Sequence, residues 1–207
     1  MRLGVFGGSF DPVHLGHLIA AECCREQAGL DQVIFVPAAL APHKQDRQPA
    51  AAEHRLQMLS LATGGHPDFT VSRLEIDRGG VSYTVDTLAA LAGEHPSAEL
   101  LLILGPDALT QLPSWREPRR IVERHGPLVV EREGLDDVVA IAGTLAVAAL
   151  LGDEGAARVV ASRVSMPAIG IRSSQLRAAV AAGRSIRFRT PRAVEAYIEA
   201  QRLYREE

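Results

Sequence analysis

The chain is poor in lysine, in cysteine and in long apolar runs. Its 22 basic residues include one lysine, Lys44, and its two cysteines, Cys23 and Cys24, are adjacent. Adjacent cysteines give neither a disulfide framework nor metal-site spacing, so we expect two reduced thiols in a reducing cytoplasm, with Cys23 in or near the core. The most apolar segment, 140–152, is shorter than the roughly 20 residues that span a bilayer. We therefore expect no membrane partner, and we expect no signal peptide because a charge precedes only a short apolar run.

The charge balance argues against a chain-wide nucleic-acid surface. The net charge is −3, with 22 basic and 25 acidic residues, whereas nucleic-acid-binding domains are usually basic. One stretch differs: six arginines and no acidic residue lie from Arg172 to Arg192. This stretch is either a local anion-facing surface or an ordinary solvated face.

Strand-like and helix-like patterns alternate along the chain. We predict strands at 3–6, 32–37, 69–73, 99–105 and 127–133, with a last strand from VVASRV (159–164) onward. We predict helices at 15–28, 51–63, from about 84, 135–150, 174–182 and 191–203. This order predicts an α/β fold with a parallel sheet in one domain, 1–207. Ligands of such sheets bind beyond the carboxyl ends of the strands, which directs attention to loops 7–17, 38–50, 105–116 and 170–174.

The first of these loops reads GGSFDPVHLGH, residues 7–17. It matches neither the GxxxxGK[ST] phosphate loop nor the GxGxxG dinucleotide fingerprint. Gly7 and Gly8 permit close approach of a ligand to the backbone, and Asp11-Pro12 favours a turn. Gly16 leads into a helix, and a helix N-terminus attracts anions.

Two histidines, His14 and His17, lie at this helix N-terminus. They can add hydrogen-bond donors for phosphate oxygens, and a phosphate would favour their charged form. Two other interpretations are open. The HxxH spacing could supply two metal ligands, although Asp11 is the only local carboxylate, or the histidines could be structural.

These residues resemble a known signature. GGSFDPVHLGH is similar to the HxGH or TxGH element that follows the first strand in the nucleotidyltransferase superfamily, and IRSSQLR (171–177) resembles its second signature, ISSTxIR. APHK (41–44), SYTVDTL (82–88) and GPDALTQLPSW (105–115) resemble blocks of the bacterial nicotinate-mononucleotide adenylyltransferases. The resemblance implies a Rossmann-like, doubly wound parallel sheet with helices on both faces. It also implies that the C-terminal helices, about 174–203, complete the ATP site.

The resemblance implies catalytic roles for His14, His17 and Arg177. The full set of ATP-binding residues that it implies is Gly7, Gly8, Ser9, Phe10, Gly16, His17, Gly105, Asp107, Ile171, Ser173, Ser174 and Arg177. Ser173 and Ser174 precede a helical run, so we expect their hydroxyls to cap it, with Arg177 one turn later on the same side. The chain departs from the family's pattern at Arg172, which stands in place of a serine, and at Gln175.

The resemblance also implies a mononucleotide site. Its residues are His43, Lys44, Ser82, Tyr83, Thr84, Trp115 and Arg132. His43 and Lys44 would bind the mononucleotide phosphate, and the pyridine ring would stack on Trp115. Backbone N–H groups at Ser82, Tyr83 and Thr84 would receive the nicotinate carboxylate.

The implied reaction joins ATP and nicotinate mononucleotide into nicotinate adenine dinucleotide and pyrophosphate. Mg²⁺ would be held mainly by the ATP phosphates, with no protein metal site. Two alternatives stay open: a related transferase acting on nicotinamide mononucleotide or phosphopantetheine, and a non-catalytic nucleotide sensor. The residues do not indicate an oligomeric state.

Overall fold

The computed structural model describes residues 1–40 and 49–205. The described strands are β1 (Arg2–Gly8), β2 (Gln32–Pro37), β3 (Phe69–Val71), β4 (Glu99–Leu104), β5 (Pro127–Arg132) and β6 (Val164–Met166). The described α-helices are α1 (Leu15–Gln27), α2 (Ala52–Thr63), α3 (Leu74–Arg78), α4 (Thr84–Glu94), α5 (Pro106–Gln111), α6 (Pro118–Arg124), α7 (Val138–Ala142), α8 (Leu145–Ala161), α9 (Ser173–Ala181) and α10 (Arg192–Ala200). A 3-10 turn covers Leu112–Ser114.

The six strands form one sheet in the order β3-β2-β1-β4-β5-β6. The pairs β1–β4, β4–β5 and β5–β6 are parallel, with Arg2 opposite Glu99 at the start of the first pair. The order 3-2-1-4-5-6 is that of a doubly wound sheet, in which right-handed crossovers place helices on both faces. The predicted Rossmann-like α/β fold is confirmed.

The chain divides into two compact units, each assembled from several segments. The first unit comprises Met1–Phe6, Ala20–Ile34 and Tyr83–Ala168, and the second comprises Gly7–Ile19, Phe35–Ser82 and Ile169–Glu207. The one-domain assignment of residues 1–207 stays a prediction.

Close packing in the first unit explains why residue 4 is glycine. A Cβ built on Gly4 would lie 2.6 Å from Leu30 Cδ1 and 2.9 Å from Ile103 Cδ1. Any larger residue at this position would require the Leu30 and Ile103 side chains to move. The apolar runs of β2 and β4 are almost entirely buried, as a central parallel strand requires.

The segment between β5 and β6 differs from the prediction. The helix expected at 135–150 is two helices, α7 and α8, and α8 is interrupted at Gly152, whose φ is 65°. The strand expected from VVASRV is shorter and later, because Val159 and Val160 continue α8 and β6 begins at Val164. Val159 is 2% exposed, so burial on a helix outweighs the strand preference of a β-branched residue.

The two cysteines are unpaired, as expected, and Cys24 is the more deeply buried of the two. Cys23 and Cys24 are both free, but Cys24 is fully buried and Cys23 is half-buried. Among the described residues, no helix has the length and apolarity needed to cross a membrane.

Candidate active site

The loop between β1 and α1 folds its own side chains inward. Phe10 is 2% exposed, and its ring meets Phe35 edge-on with 5.7 Å between centroids. The φ of Phe10 is 46°, a conformation that L-residues rarely adopt. A Cβ on Gly8 would approach the Phe10 ring to 3.0 Å, whereas one on Gly7 would meet no described atom within 4 Å. Gly8 therefore makes room for the protein's own aromatic ring, and only Gly7 leaves open space.

His14 and His17 form a stacked pair at the start of α1. Their ring centroids are 3.7 Å apart at an interplanar angle of 23°. The backbone N–H of His14 donates to Nδ1 of His17 at 3.2 Å. In the neutral ring this bond assigns the proton of His17 to Nε2, which makes Nε2 a donor. A Cβ on Gly16 would lie 3.1 Å from Nδ1 of His14, so glycine at this position admits the first ring.

His14 is buried, with 6% of its surface exposed. Burial disfavours the charged imidazolium and lowers the pKa of His14 from 6.5 to about 4. Its Nδ1 is buried and has no hydrogen-bond partner among the described residues. In the protein alone His14 is therefore neutral at pH 7, and the charged form expected from a neighbouring phosphate is not the resting form.

The expected capping of α9 by serine hydroxyls is wrong. Arg172 occupies the N-cap position, and no side chain caps the helix. The Ser173 hydroxyl instead donates to the backbone carbonyl of Pro12 at 2.9 Å. Ser174 is exposed and Ile171 is half-buried. The serine that the chain lacks at 172 explains the change, because the residue in the capping position carries no short oxygen acceptor.

Arg177 lies beside the first loop. Its Nη1 donates to the backbone carbonyl of Asp11 at 2.5 Å and lies 3.3 Å from Oδ2 of the same residue. Its Nε is buried without a hydrogen-bond partner in the described part of the chain. The second unit thus brings together the loop of the stacked histidines, the start of α9 and Arg177.

Both flanks of segment 41–48 are anchored within the second unit. Arg55, 1% exposed, donates to the backbone carbonyls of Ala50, Ser9 and Ala39. Ser82 is buried, and its hydroxyl accepts from the N–H of Ala39 at 3.0 Å. Ser82 therefore has a structural role beside its predicted one.

The two residues predicted to bind the mononucleotide phosphate, His43 and Lys44, lie outside the described residues.

The first unit holds three of the predicted pyridine-binding residues, whereas Ser82 belongs to the second unit. Tyr83 and Thr84 begin α4, and no side chain caps this helix. Trp115 follows the 3-10 turn, and its Nε1 is buried without a hydrogen-bond partner among the described residues. Arg116, which the sequence reasoning missed, lies 4.8 Å above the Tyr83 ring and pairs with Asp86 at 3.3 Å. Its position directly after Trp115 in the sequence could have indicated it as a candidate site residue.

Three further predicted residues also lie in the first unit. Gly105 is the N-cap residue of α5, and Asp107 is exposed in its first turn. Arg132 makes a bidentate ion pair with Asp136, with both nitrogen–oxygen distances 2.7 Å. This hydrogen-bonded pair raises the pKa of Arg132 and lowers that of Asp136. The local partner accounts for Arg132 without a ligand, and its role toward the mononucleotide stays a prediction.

Three side chains in the second unit were missed because their partners are remote in sequence. Arg55 anchors the loop flanks, Thr190 donates to the carbonyl of Val13 at 2.9 Å, and Tyr204 donates to Asp11 at 2.7 Å. Within residues 1–40 and 49–205, no group of three or more His, Cys, Asp or Glu could hold a metal ion.

Comparisons with known proteins bear on this geometry. The sequence model of the cytidylyltransferase-like family matches residues 5–179. A Thermomicrobium roseum protein named "Probable nicotinate-nucleotide adenylyltransferase" is 42% identical over 204 residues, which cover 99% of this chain and 92% of the relative. A Thermus thermophilus protein of the same name is 43% identical over 205 residues, covering 99% and 100%.

A solved structure shares the fold. It is the Plasmodium falciparum nicotinic acid mononucleotide adenylyltransferase complexed with NaAD, with a TM-score of 0.74 and 18% identity. The alignment covers 98% of this chain and 97% of that one. At this identity the likeness shows the fold alone.

Proposed function

Because this chain belongs to the cytidylyltransferase-like family, and because its relatives along nearly its full length are named nicotinate-nucleotide adenylyltransferases, we propose that it makes nicotinate adenine dinucleotide. Its substrates are ATP and nicotinate mononucleotide, and its second product is pyrophosphate. The stacked pair His14–His17 carries the proposal, since it orients a ring N–H donor at a helix N-terminus, in the loop whose Asp11 carbonyl accepts from Arg177.

The reaction is a direct in-line transfer. An oxygen of the mononucleotide phosphate attacks the α-phosphorus of ATP, a new P–O bond forms, and the bond to the β-phosphate bridging oxygen breaks. Pyrophosphate leaves with that electron pair, so the protein need not supply a nucleophile. Positioning and stabilisation of developing charge are then the main sources of rate.

The two cysteines support this direct route. Burial raises the pKa of the Cys24 thiol to about 12, and burial also raises the pKa of Cys23. The thiolate is the nucleophilic form of cysteine. Both residues are therefore thiols at pH 7 and unsuited to forming an adenylyl-enzyme intermediate.

His17 is the main donor to the transferring phosphate. Its Nδ1 accepts from the backbone, which orients the ring and leaves Nε2–H to donate. His14 stacks on it and fixes its plane. The N–H groups that begin α1 and α9 add partial positive charge, and Arg177 holds the β- and γ-phosphates.

The first unit recognises the pyridine. The uncapped start of α4 at Tyr83 and Thr84 offers backbone N–H groups to the nicotinate carboxylate. Trp115 offers a ring face for stacking, and Arg116 lies over Tyr83 with its charge paired to Asp86. The backbone N–H groups that begin α4 favour the nicotinate carboxylate over the neutral nicotinamide. His43 and Lys44 bind the mononucleotide phosphate in this proposal.

Mg²⁺ accompanies ATP and is held mainly by phosphate oxygens in this proposal. Mg²⁺ commonly uses substrate phosphates and water as ligands, with few protein groups. When bound, the ion offsets negative charge on the phosphates. The free, adjacent cysteines fit action in a reducing cytoplasm.

The test is pyrophosphate release from ATP and Mg²⁺ with each acceptor offered in turn, with the dinucleotide identified by mass spectrometry. We expect release with nicotinate mononucleotide to exceed release with nicotinamide mononucleotide and phosphopantetheine. A reaction without acceptor controls for ATP hydrolysis. A preference for either other acceptor would assign the protein to a related transferase, and ATP binding without release would make it a sensor.

A further inference from the structure

Asp11 is a buried side chain of the first loop with partners on three other segments. It is 6% exposed, and its Oδ1 accepts from the N–H of Ala50 at 3.2 Å and from the hydroxyl of Tyr204 at 2.7 Å. Its Oδ2 lies 3.3 Å from Nη1 of Arg177, and its backbone carbonyl accepts from the same nitrogen. Both oxygens of a buried carboxylate are thus engaged, and one of them faces Arg177.

The Tyr204–Asp11 contact is built by an unusual backbone path. After α10 ends at Ala200, Arg202 has a φ of 52° and Tyr204 a φ of 63°. L-residues rarely adopt such values unless surrounding interactions fix them. Leu203 lies between these two residues, and its N–H donates to the Ile198 carbonyl at 3.1 Å. The chain therefore adopts two unfavourable conformations in succession, and the Tyr204 hydroxyl reaches Asp11.

The phenol remains a donor. Burial, followed by the charge of Asp11 and the hydrogen bond to it, raises the pKa of Tyr204 far above its usual value of 10. The hydroxyl is therefore protonated at any working pH, and it holds the Asp11 carboxylate in one orientation. That orientation places Oδ2 against Arg177.

Resting on the proposed function, we propose that Asp11 and Tyr204 are positioning residues for Arg177 in ATP binding. Asp11 holds the guanidinium through two acceptors, and Tyr204 holds Asp11. Neither residue touches a reacting atom. The arginine thus meets the phosphates from a fixed position instead of being ordered at each binding event, and this reduces the entropic cost of binding.

The chain offers a matched control. Tyr197 also lies in the C-terminal region of the second unit, and its hydroxyl contacts Nδ1 of His54 at 2.8 Å. Tyr197→Phe and Tyr204→Phe each remove one hydroxyl and one side-chain hydrogen bond. Only the second removal reaches Asp11.

The experiment measures binding of α,β-methylene-ATP by calorimetry, together with KM for ATP and for nicotinate mononucleotide and the unfolding temperature. We expect Tyr204→Phe to weaken analogue binding and raise KM for ATP by about tenfold, the scale of one lost bond to a charged group. KM for the mononucleotide should change by less than about twofold, and Tyr197→Phe should leave all three constants near those of the unmodified chain.

A double-mutant cycle separates positioning from general stability. In an Arg177→Ala background, Tyr204→Phe should change analogue affinity by less than about twofold, because the residue that it positions is gone. An equal loss of affinity in both backgrounds would overturn the proposal, and so would unchanged affinity in the single variant. If Tyr204→Phe weakens analogue binding only when Arg177 is present, but the unmodified chain forms no dinucleotide, the proposed function fails and this inference stands. If the unmodified chain forms dinucleotide and the effect of Tyr204→Phe does not depend on Arg177, this inference alone fails.

Discussion

The buried imidazole of His14 makes the stability of this protein depend on pH. The pKa of His14 is about 4 in the folded chain, and it is 6.5 for an exposed histidine. Between these values the unfolded chain binds a proton that the folded chain does not. Stability is therefore fully present above pH 6.5 and falls as the pH drops through 6.5 toward 4.

The size of the loss follows from the two pKa values. At about 1.4 kcal/mol per pH unit, the difference between 6.5 and about 4 corresponds to about 3 kcal/mol once both states are protonated. About 2 kcal/mol of this is lost between pH 7 and pH 5. Marginal stabilities are only about 5–15 kcal/mol, so the effect is readily measured.

The assay is urea unfolding at pH 7 and pH 5, for the unmodified chain and for His14→Asn. Asparagine does not titrate in this range, so the unmodified chain should lose about 2 kcal/mol more than the variant between the two pH values. The control is Val13→Ala, which deletes fully buried volume one residue away and keeps the imidazole. It should lower stability by the same amount at both pH values.

A neutral His14 in the folded chain is refuted if His14→Asn has the pH dependence of the unmodified chain. That result would mean that His14 takes up its proton in the folded state near pH 6.5. An NMR titration of the His14 ring gives the same answer directly, since its resonance should shift near pH 4.

Three more predictions test the site. His17→Ala should lower kcat for pyrophosphate release by about 10²–10³, the scale of one lost charge-stabilising donor, and a fall of less than threefold at saturating substrates would contradict its role. Trp115→Ala should raise KM for the mononucleotide more than KM for ATP, and equal effects on both would make Trp115 a packing residue. Arg55→Lys should reduce the free energy of unfolding by about 2–4 kcal/mol, because the three N–H donors of lysine lie on one nitrogen and cannot reach three carbonyls that separate guanidinium nitrogens bind. The control in urea unfolding is Arg73, which forms an exposed ion pair with Glu53. Arg73→Lys should cost less than about 1 kcal/mol, and similar losses for the two variants would contradict a stabilising role for the Arg55–carbonyl bonds.

The central strands were predictable because their signal is local. QVIFVP and ELLLIL are apolar on both faces, and β2 and β4 coincide with them to within a residue. The same logic failed at VVASRV, where two valines favour a strand but continue α8. The stabilisation from tertiary burial outweighs the local strand preference of these valines. That burial depends on contacts with other segments and cannot be predicted from the sequence of one segment.

Some features of the candidate site were also predictable from local sequence, and others depend on remote contacts. The positions of His14 and His17 at a helix start follow from residues that are neighbours in sequence. The contacts of Asp11 do not, because they join it to Arg177 and Tyr204, 166 and 193 residues away. From sequence Asp11 was only half of a turn and the sole local carboxylate. Its partners come from elements whose approach depends on the fold of the whole second unit.

Two arginines of the second unit show what this side chain does in a chain that has one lysine. Arginine offers five donors in a rigid fork, so one side chain can satisfy backbone carbonyls and still carry charge. Arg55 uses this capacity entirely on structure, with three carbonyls as partners. Arg177 uses one nitrogen on Asp11 and is thereby fixed in direction. A lysine at 177 would keep the charge, but its donors all lie on one nitrogen at the end of a flexible chain. It could not bind Asp11 with one nitrogen and keep others free in a fixed direction. The geometry of the fork, rather than the count of positive charges, therefore accounts for the contacts of Arg177 with Asp11.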